Sequence, residues 1–157
     1  ENNGKNLFLA APTFNASGVR TGGGFGCNGC HNAPEFDIDP NSRNNGIIGI
    51  ANTQTGIDII VTKAPSLRDI VNKNGSLNTP LMHTAGIKDL MALIGHYGKI
   101  NKAPGNTNLD PKLMPGGIGQ NLNLTQDETM DVIAFLKTLT GSNVYTDTKW
   151  SNPFLIK

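Results

Sequence analysis

Cys27-Asn28-Gly29-Cys30-His31 holds both cysteines of the chain and one of its three histidines. Two thiols at this spacing, followed at once by an imidazole, form the C-x-x-C-H pattern of covalent haem c attachment. The spacing has a chemical reason. Each thiol adds across one vinyl group of a porphyrin to give a thioether, and the two residues between them let the backbone bridge both vinyls. The next side chain can then point a ring nitrogen at the iron. Asn28 and Gly29 are small, so the backbone can lie close to the macrocycle edge. Other uses of paired thiols fit less well. A Cys27–Cys30 disulfide would close a tiny loop and stabilise little. A redox pair of the thioredoxin type needs a βαβ surround, and a zinc site needs a second ligand pair; the sequence offers neither.

Outward from the pentapeptide, 157 residues suit a single domain, residues 1–157, with a real core. Thirteen basic side chains against twelve acidic ones give no sign of a nucleic-acid partner or a membrane surface. No apolar run approaches a membrane span, so the chain is not expected to cross one. Glycine, asparagine and proline are abundant and aromatics are few, which predicts long loops and a core volume shared with a prosthetic group. The chain begins at Glu1 without an initiator methionine or leader, which reads as a processed protein or a piece of a longer one. Haem attachment takes place outside the cytoplasmic membrane, so a periplasmic or otherwise exported location is expected.

Asn3 can cap a short helix from Gly4 to about Ala10, with Leu7, Phe8 and Ala11 on one stripe and Gly4 open to a close helix crossing. Residues 12–26 read as a loop ending in Gly22-Gly23-Gly24-Phe25-Gly26. That run lacks the lysine and preceding strand of a phosphate loop, and reads as a flexible approach to the haem. Ile47, Ile48 and Ile50 are candidates to pack over the porphyrin, and Ile57, Ile59, Ile60 and Val61 form a second patch; both read as extended loops. Lys63-Ala64-Pro65-Ser66-Leu67-Arg68-Asp69-Ile70 predicts a short helix opening near Pro65 or Ser66. Arg68 could there reach a haem propionate, an anion that a bidentate guanidinium suits. A helix from about Ile87 to Tyr97 buries Leu90, Met91, Leu93 and Ile94. Residues 98–123 form a loop long enough to need a purpose, and covering the open face of a cofactor supplies one. Thr125-Gln126-Asp127-Glu128 is a capping box that opens the last helix. Its apolar face runs through Met130, Val132, Ile133, Phe135, Leu136 and Leu139, and Phe135 is placed to meet the first helix near Gly4 and Phe8. Gly141 is expected to end it with a left-handed cap. Residues 142–157 read as a tail anchored by Trp150, Pro153 and Phe154.

The order of these segments resembles the C-terminal haem domain of the bacterial di-haem cytochrome c peroxidase superfamily, which includes the enzyme that matures tryptophan tryptophylquinone. Gly4-Lys5-Asn6-Leu7-Phe8 and the attachment segment through Phe36 begin the match. Ala64-Pro65-Ser66-Leu67-Arg68-Asp69, Pro80-Leu81-Met82-His83 and Gly95-His96-Tyr97 continue it. Leu109-Asp110-Pro111, Leu124-Thr125 and Ala134-Phe135-Leu136-Lys137-Thr138-Leu139-Thr140 close it. The resemblance implies an all-α, cytochrome c-like fold of few short helices and long loops around one covalent haem c. It also implies a calcium ion held partly by carbonyls near Asn78 and Pro80 when a partner domain is present. Family members carry two haem domains, whereas this chain has one attachment motif, and Thr84-Ala85 replaces the common Asp-Gly after the His of the Met-His segment.

Opposite His31, the resemblance makes Tyr97, fourteen residues after His83, the first choice of sixth ligand. Met114 in Leu113-Met114-Pro115-Gly116-Gly117 is the runner-up, because that segment is similar to the ligand loop of small electron carriers. Met82, His83 and His96 are weaker options, and His83 also reads as a hydrogen-bonding neighbour of a propionate or of the opening between haem domains. A thioether favours Fe(II), whereas a phenolate favours Fe(III) and lowers the potential. The resemblance implies the electron-accepting half of a di-haem peroxidase. Such a half takes electrons from a small redox protein or cytochrome and relays them to a second haem that reduces hydrogen peroxide. The alternatives are a free-standing mono-haem carrier without enzymatic activity, and a mono-haem peroxidase with an open sixth position.

Overall fold

The computed structural model describes residues 1–38, 40–60, 64–141, 146–150 and 154. Val61, Lys63, Pro153 and the side chain of Trp150 lie outside the described residues. Among the described residues three α-helices carry the frame: α1 (Asn2–Leu9), then α2 (Leu90–Gly98) and α3 (Gln126–Thr138) late in the chain. Between α1 and α2 lie two short antiparallel pairs, β1 (Pro12–Phe14) with β2 (Arg20–Gly23), and β3 (His31–Asn32) with β4 (Asp37–Ile38). The all-α expectation is therefore corrected to a mixed α and β architecture. No helix among the described residues is long and apolar enough to cross a membrane.

The first pair lies where the sequence suggested a loop, and its turn explains it. Asn15 accepts at Oδ1 from the amides of Ser17 (2.9 Å) and Val19 (3.0 Å), reversing the chain at Gly18. Pro12 and Phe14 then pair with Gly23 and Arg20 across it. Arg20 fastens the hairpin to α3. Its Nε donates to Leu122 O (2.8 Å), it pairs with Glu128, and its guanidinium lies over the Phe25 ring.

The glycine run that follows is a packing device. Gly24 lies so close to α1 that a Cβ there would fall 2.3 Å from Leu7 O. The amides of Phe25 and Gly26 donate to Leu7 O (2.6 Å) and Ala10 O (2.9 Å), satisfying the last carbonyls of the helix. This seats the 3₁₀ turn Cys27–Gly29 directly after the contact with α1.

α1 crosses α3 at Gly4, where a Cβ would sit 1.9 Å from Asp131 O, as the bare glycine suggested. Asn3 does not cap α1; its amide instead donates to Asp131 (2.6 Å). Phe8, Phe36 and Phe135 form a triangle of edge-on and tilted rings with centroids 5.3–5.8 Å apart. α3 opens with both halves of the expected capping box. It stops at Thr138 with Leu139 as its C-cap (φ −78°, ψ 0°), short of the left-handed stop expected at Gly141.

Three further expectations change. Residues 64–70 form no helix: Ser66 turns its hydroxyl to Glu35 O (2.9 Å) and accepts from Arg68 N (3.2 Å), and Asp69 adopts φ +62°. α2 begins at Leu90, because the Asp89 carboxylate takes the Ala92 amide (2.7 Å) as an N-cap. Met91 on α2 and Met130 on α3 are 46% and 49% exposed, outside the faces their helices bury. Phe154 of the tail, expected as a surface anchor, is 87% exposed.

Candidate functional site

A cavity of about 810 Å³ opens between the attachment turn, residues 64–70, α2, α3 and the loop before α3. That volume lies within the roughly 300–1,000 Å³ of cofactor and small-molecule pockets. Cys27, Cys30, His31, Arg68, His83 and Tyr97 all stand in its wall. Six side chains nominated from distant stretches of sequence are thus brought together. Met114 is not among the lining residues, whereas its neighbour Leu113 is. Met82 lines the cavity, while His96, Ile47, Ile48 and Ile50 do not. Ile50 is 43% exposed, so the expectation that this isoleucine patch packs over a porphyrin is not met.

The two cysteines are thiols with no disulfide between them. Burial pushes the Cys27 thiol up to about 12, with the neighbouring Cys30 adding to the rise against a backbone hydrogen bond. A thiol held protonated in this way is a poor redox nucleophile. His31 leaves the turn at the start of β3, its imidazole lowered from the ordinary value by burial, against the carbonyls of Phe36 and Pro65 and the charge of Asp37. Its Nδ1 is buried without a hydrogen bond. Among the described residues no cluster of three or more His, Cys, Asp or Glu stands ready for a bare metal ion.

Tyr97 sits on the last turn of α2. Burial pushes its phenol up to about 12, the Asn45 amide opposes the shift, and Cys30, Cys27 and Asp110 reinforce it. Gln120 donates to the Tyr97 carbonyl (2.8 Å), so the loop before α3 grips the end of α2. His96 stacks edge-on against Tyr97 and donates through Nε2 to Asn45 O (2.9 Å). His83 is exposed at the cavity rim and donates through Nε2 to Gly49 O (2.9 Å). Arg68 donates to Pro34 O (2.6 Å) and lies over the Phe36 ring, which ties the segment after the pentapeptide to residues 64–70. A guanidinium has five donors, so this bond leaves capacity for a carboxylate.

The cavity also recruits residues that the sequence did not single out. Ser42 is 4% exposed, stands in the wall, and its Oγ is buried without a partner. Arg43 follows it in the wall. Both are carried by a segment locked from behind by buried Asn44, Asn106 and Asp110: Asp110 accepts from the amides of Arg43 (2.8 Å) and Lys112 (2.9 Å). The run of Asn and Asp here was visible in the sequence, but only the fold shows that it is buried.

A covalent porphyrin fits these residues on three counts. Two thiols and an imidazole share one apolar wall, an imidazole nitrogen and a hydroxyl lie buried without partners there, and cations border the cavity. No protein-family model matches the chain, and no curated protein does. Among solved structures, the fold is similar to that of a MauG-like protein associated with microbial copper homeostasis, at a TM-score of 0.60 and 24% identity. The match covers 97% of this chain and 50% of that one, so the chain shares this fold while spanning about half of the other protein's length.

Proposed function

We propose that the chain is a haem c electron-transfer domain of the kind found in di-haem peroxidases. The observation that carries this reading is that the cavity wall contains both thiols and the imidazole of the attachment pentapeptide. Cys27 and Cys30 would hold the group as thioethers and His31 would supply the proximal nitrogen. Haem, when bound, supplies a one-electron Fe(III)/Fe(II) couple. Tyr97, in the wall and on α2, would be the sixth ligand in preference to Met114, which is not in the wall. Ser42, Arg43 and Arg68 would meet the propionates, anions too costly to bury without donors. The apolar remainder of the wall would limit the access of water to the group.

In this reading the domain works outside the cytoplasmic membrane, accepts electrons from a small redox protein and passes them to a second haem domain. The half-length match to the MauG-like protein supports that larger setting.

The test is mass and colour. Protein produced in a host able to mature c-type cytochromes should gain the mass of one haem, keep its colour through acid-acetone extraction, and give the pyridine haemochrome of two thioethers. Replacing both cysteines by alanine should make the colour extractable. A bare polypeptide mass from the unsubstituted chain would overturn the reading. If the gene encodes a second C-x-x-C-H in the same chain, the di-haem setting holds; a single motif favours a mono-haem carrier.

A further inference from the structure

Two candidate distal ligands share one neighbour in the cavity wall, Asn45. Its backbone is fixed from both sides. Asn44 donates through Nδ2 to Ile47 O (2.8 Å) and accepts at Oδ1 from Gly46 N (2.8 Å) and Asn106 Nδ2 (2.8 Å). From the other side, His96 Nε2 donates to the carbonyl of Asn45 itself (2.9 Å).

The orientation of the Asn45 amide follows from donor chemistry. The Ile47 N–H can only donate, so the atom 3.2 Å from it is Oδ1. Nδ2 then points at the Met82 sulfur, 3.1 Å away. Asn45 and Tyr97 stand in the same wall, and the Asn45 side chain opposes the rise that burial imposes on the Tyr97 phenol. Met82 is itself held at φ +67°, a region that side-chain-bearing residues enter at a cost and that recurs at ligand clamps.

We infer that Asn45 is a positioning residue that decides the distal ligand, holding the Met82 thioether in a hydrogen bond so that the sixth position falls to Tyr97. The inference rests on the haem reading above. Its physical basis is the asymmetry of hydrogen bonds shielded from water. Swinging Met82 onto the metal would leave one N–H of a pinned, part-buried amide in the cavity wall without its acceptor. With the donor removed, that cost disappears and the soft sulfur becomes a competitor for the iron.

The experiment compares absorption spectra and reduction potentials of covalently loaded protein. Asn45→Asp keeps the acceptor for Ile47 N–H but removes the donor; Asn45→Ala removes both without adding charge. Both variants should gain the thioether-to-iron band at the red end of the ferric spectrum, and Asn45→Ala should show a raised potential. Adding Met82→Leu to Asn45→Ala should abolish the new band, while Met82→Leu alone should keep the parent spectrum. Unchanged spectra in both Asn45 variants would overturn the inference, as would a parent spectrum altered by Met82→Leu alone. A wild-type chain without covalent haem would overturn this inference and the functional reading together. A coloured protein whose spectrum ignores Asn45 overturns the inference alone.

Discussion

Ser42 makes opposite demands on the two forms of the protein. Its hydroxyl is buried in the cavity wall without a partner. Such a group costs about 1–3 kcal/mol while unsatisfied. Ser42→Ala should therefore leave the cofactor-free chain unchanged or slightly more stable, yet destabilise the loaded protein by removing a donor to a propionate. Thermal unfolding of both forms reads the two signs, and a loss of equal size in both would remove Ser42 from the site. That Cys27, Cys30 and His31 belong together was legible, because thiols are scarce and their spacing is short, and the fold puts all three in one cavity wall. Ser42, Arg43 and Asn45 were not, because serine and asparagine are ordinary loop residues until the fold buries them. Arg68 was found for its charge, but its tie to Pro34 O depends on a chain reversal that the sequence does not announce.

α3 shows how far local pattern reaches at the scale of an element. Its capping box was readable because both reciprocal hydrogen bonds lie within one turn. The pairing of Glu128 with Arg20 was not, since the partner comes from a hairpin 108 residues earlier. Burial raises the Glu128 carboxyl, and Arg20 together with the Thr125 bonds outweighs it, leaving it below the ordinary value of 4.5. A carboxylate whose folded value is depressed contributes stability that is present above its unfolded value and fades as pH falls through the folded one. Glu128→Gln should thus be less stable than the parent at pH 7, and the gap should narrow below about pH 4.5 until it closes. A gap that stays constant across acid titration of the melting temperature would remove the ion pair from α3's anchoring. The crossing at Gly4 was likewise foreseen from one small residue. The β1–β2 hairpin was missed because its strands are three and four residues long, and the turn chemistry of Asn15 outweighed their weak alternation. Residues 64–70 failed as a helix although Ser66 accepts from Arg68 N, because its hydroxyl also donates to Glu35 O and Asp69 turns the chain at φ +62°.

Taken as a whole molecule, the fold sets one hydrophobic core beside a large cavity. Phe8 of α1, Leu67, Leu93 of α2, Leu113 and Leu136 of α3 all present surface to the same cavity of about 810 Å³. Composition hinted at this, since so many glycines, asparagines and prolines with so few aromatics leave volume unfilled. The cavity opens to solvent, so without an occupant its apolar wall meets water or closes up, whereas the Phe8–Phe36–Phe135 cluster and the α1–α3 crossing lie within the chain's own packing. The double variant Cys27→Ala, Cys30→Ala, freed of cofactor, should keep most of its helical far-ultraviolet dichroism. It should lose near-ultraviolet dichroism, bind a hydrophobic dye and melt over a broad range at far lower temperature than the loaded protein. A cofactor-free chain that unfolds cooperatively at the temperature of the loaded one would mean that the cavity is preformed and self-supporting, and that the group adds chemistry but no structure.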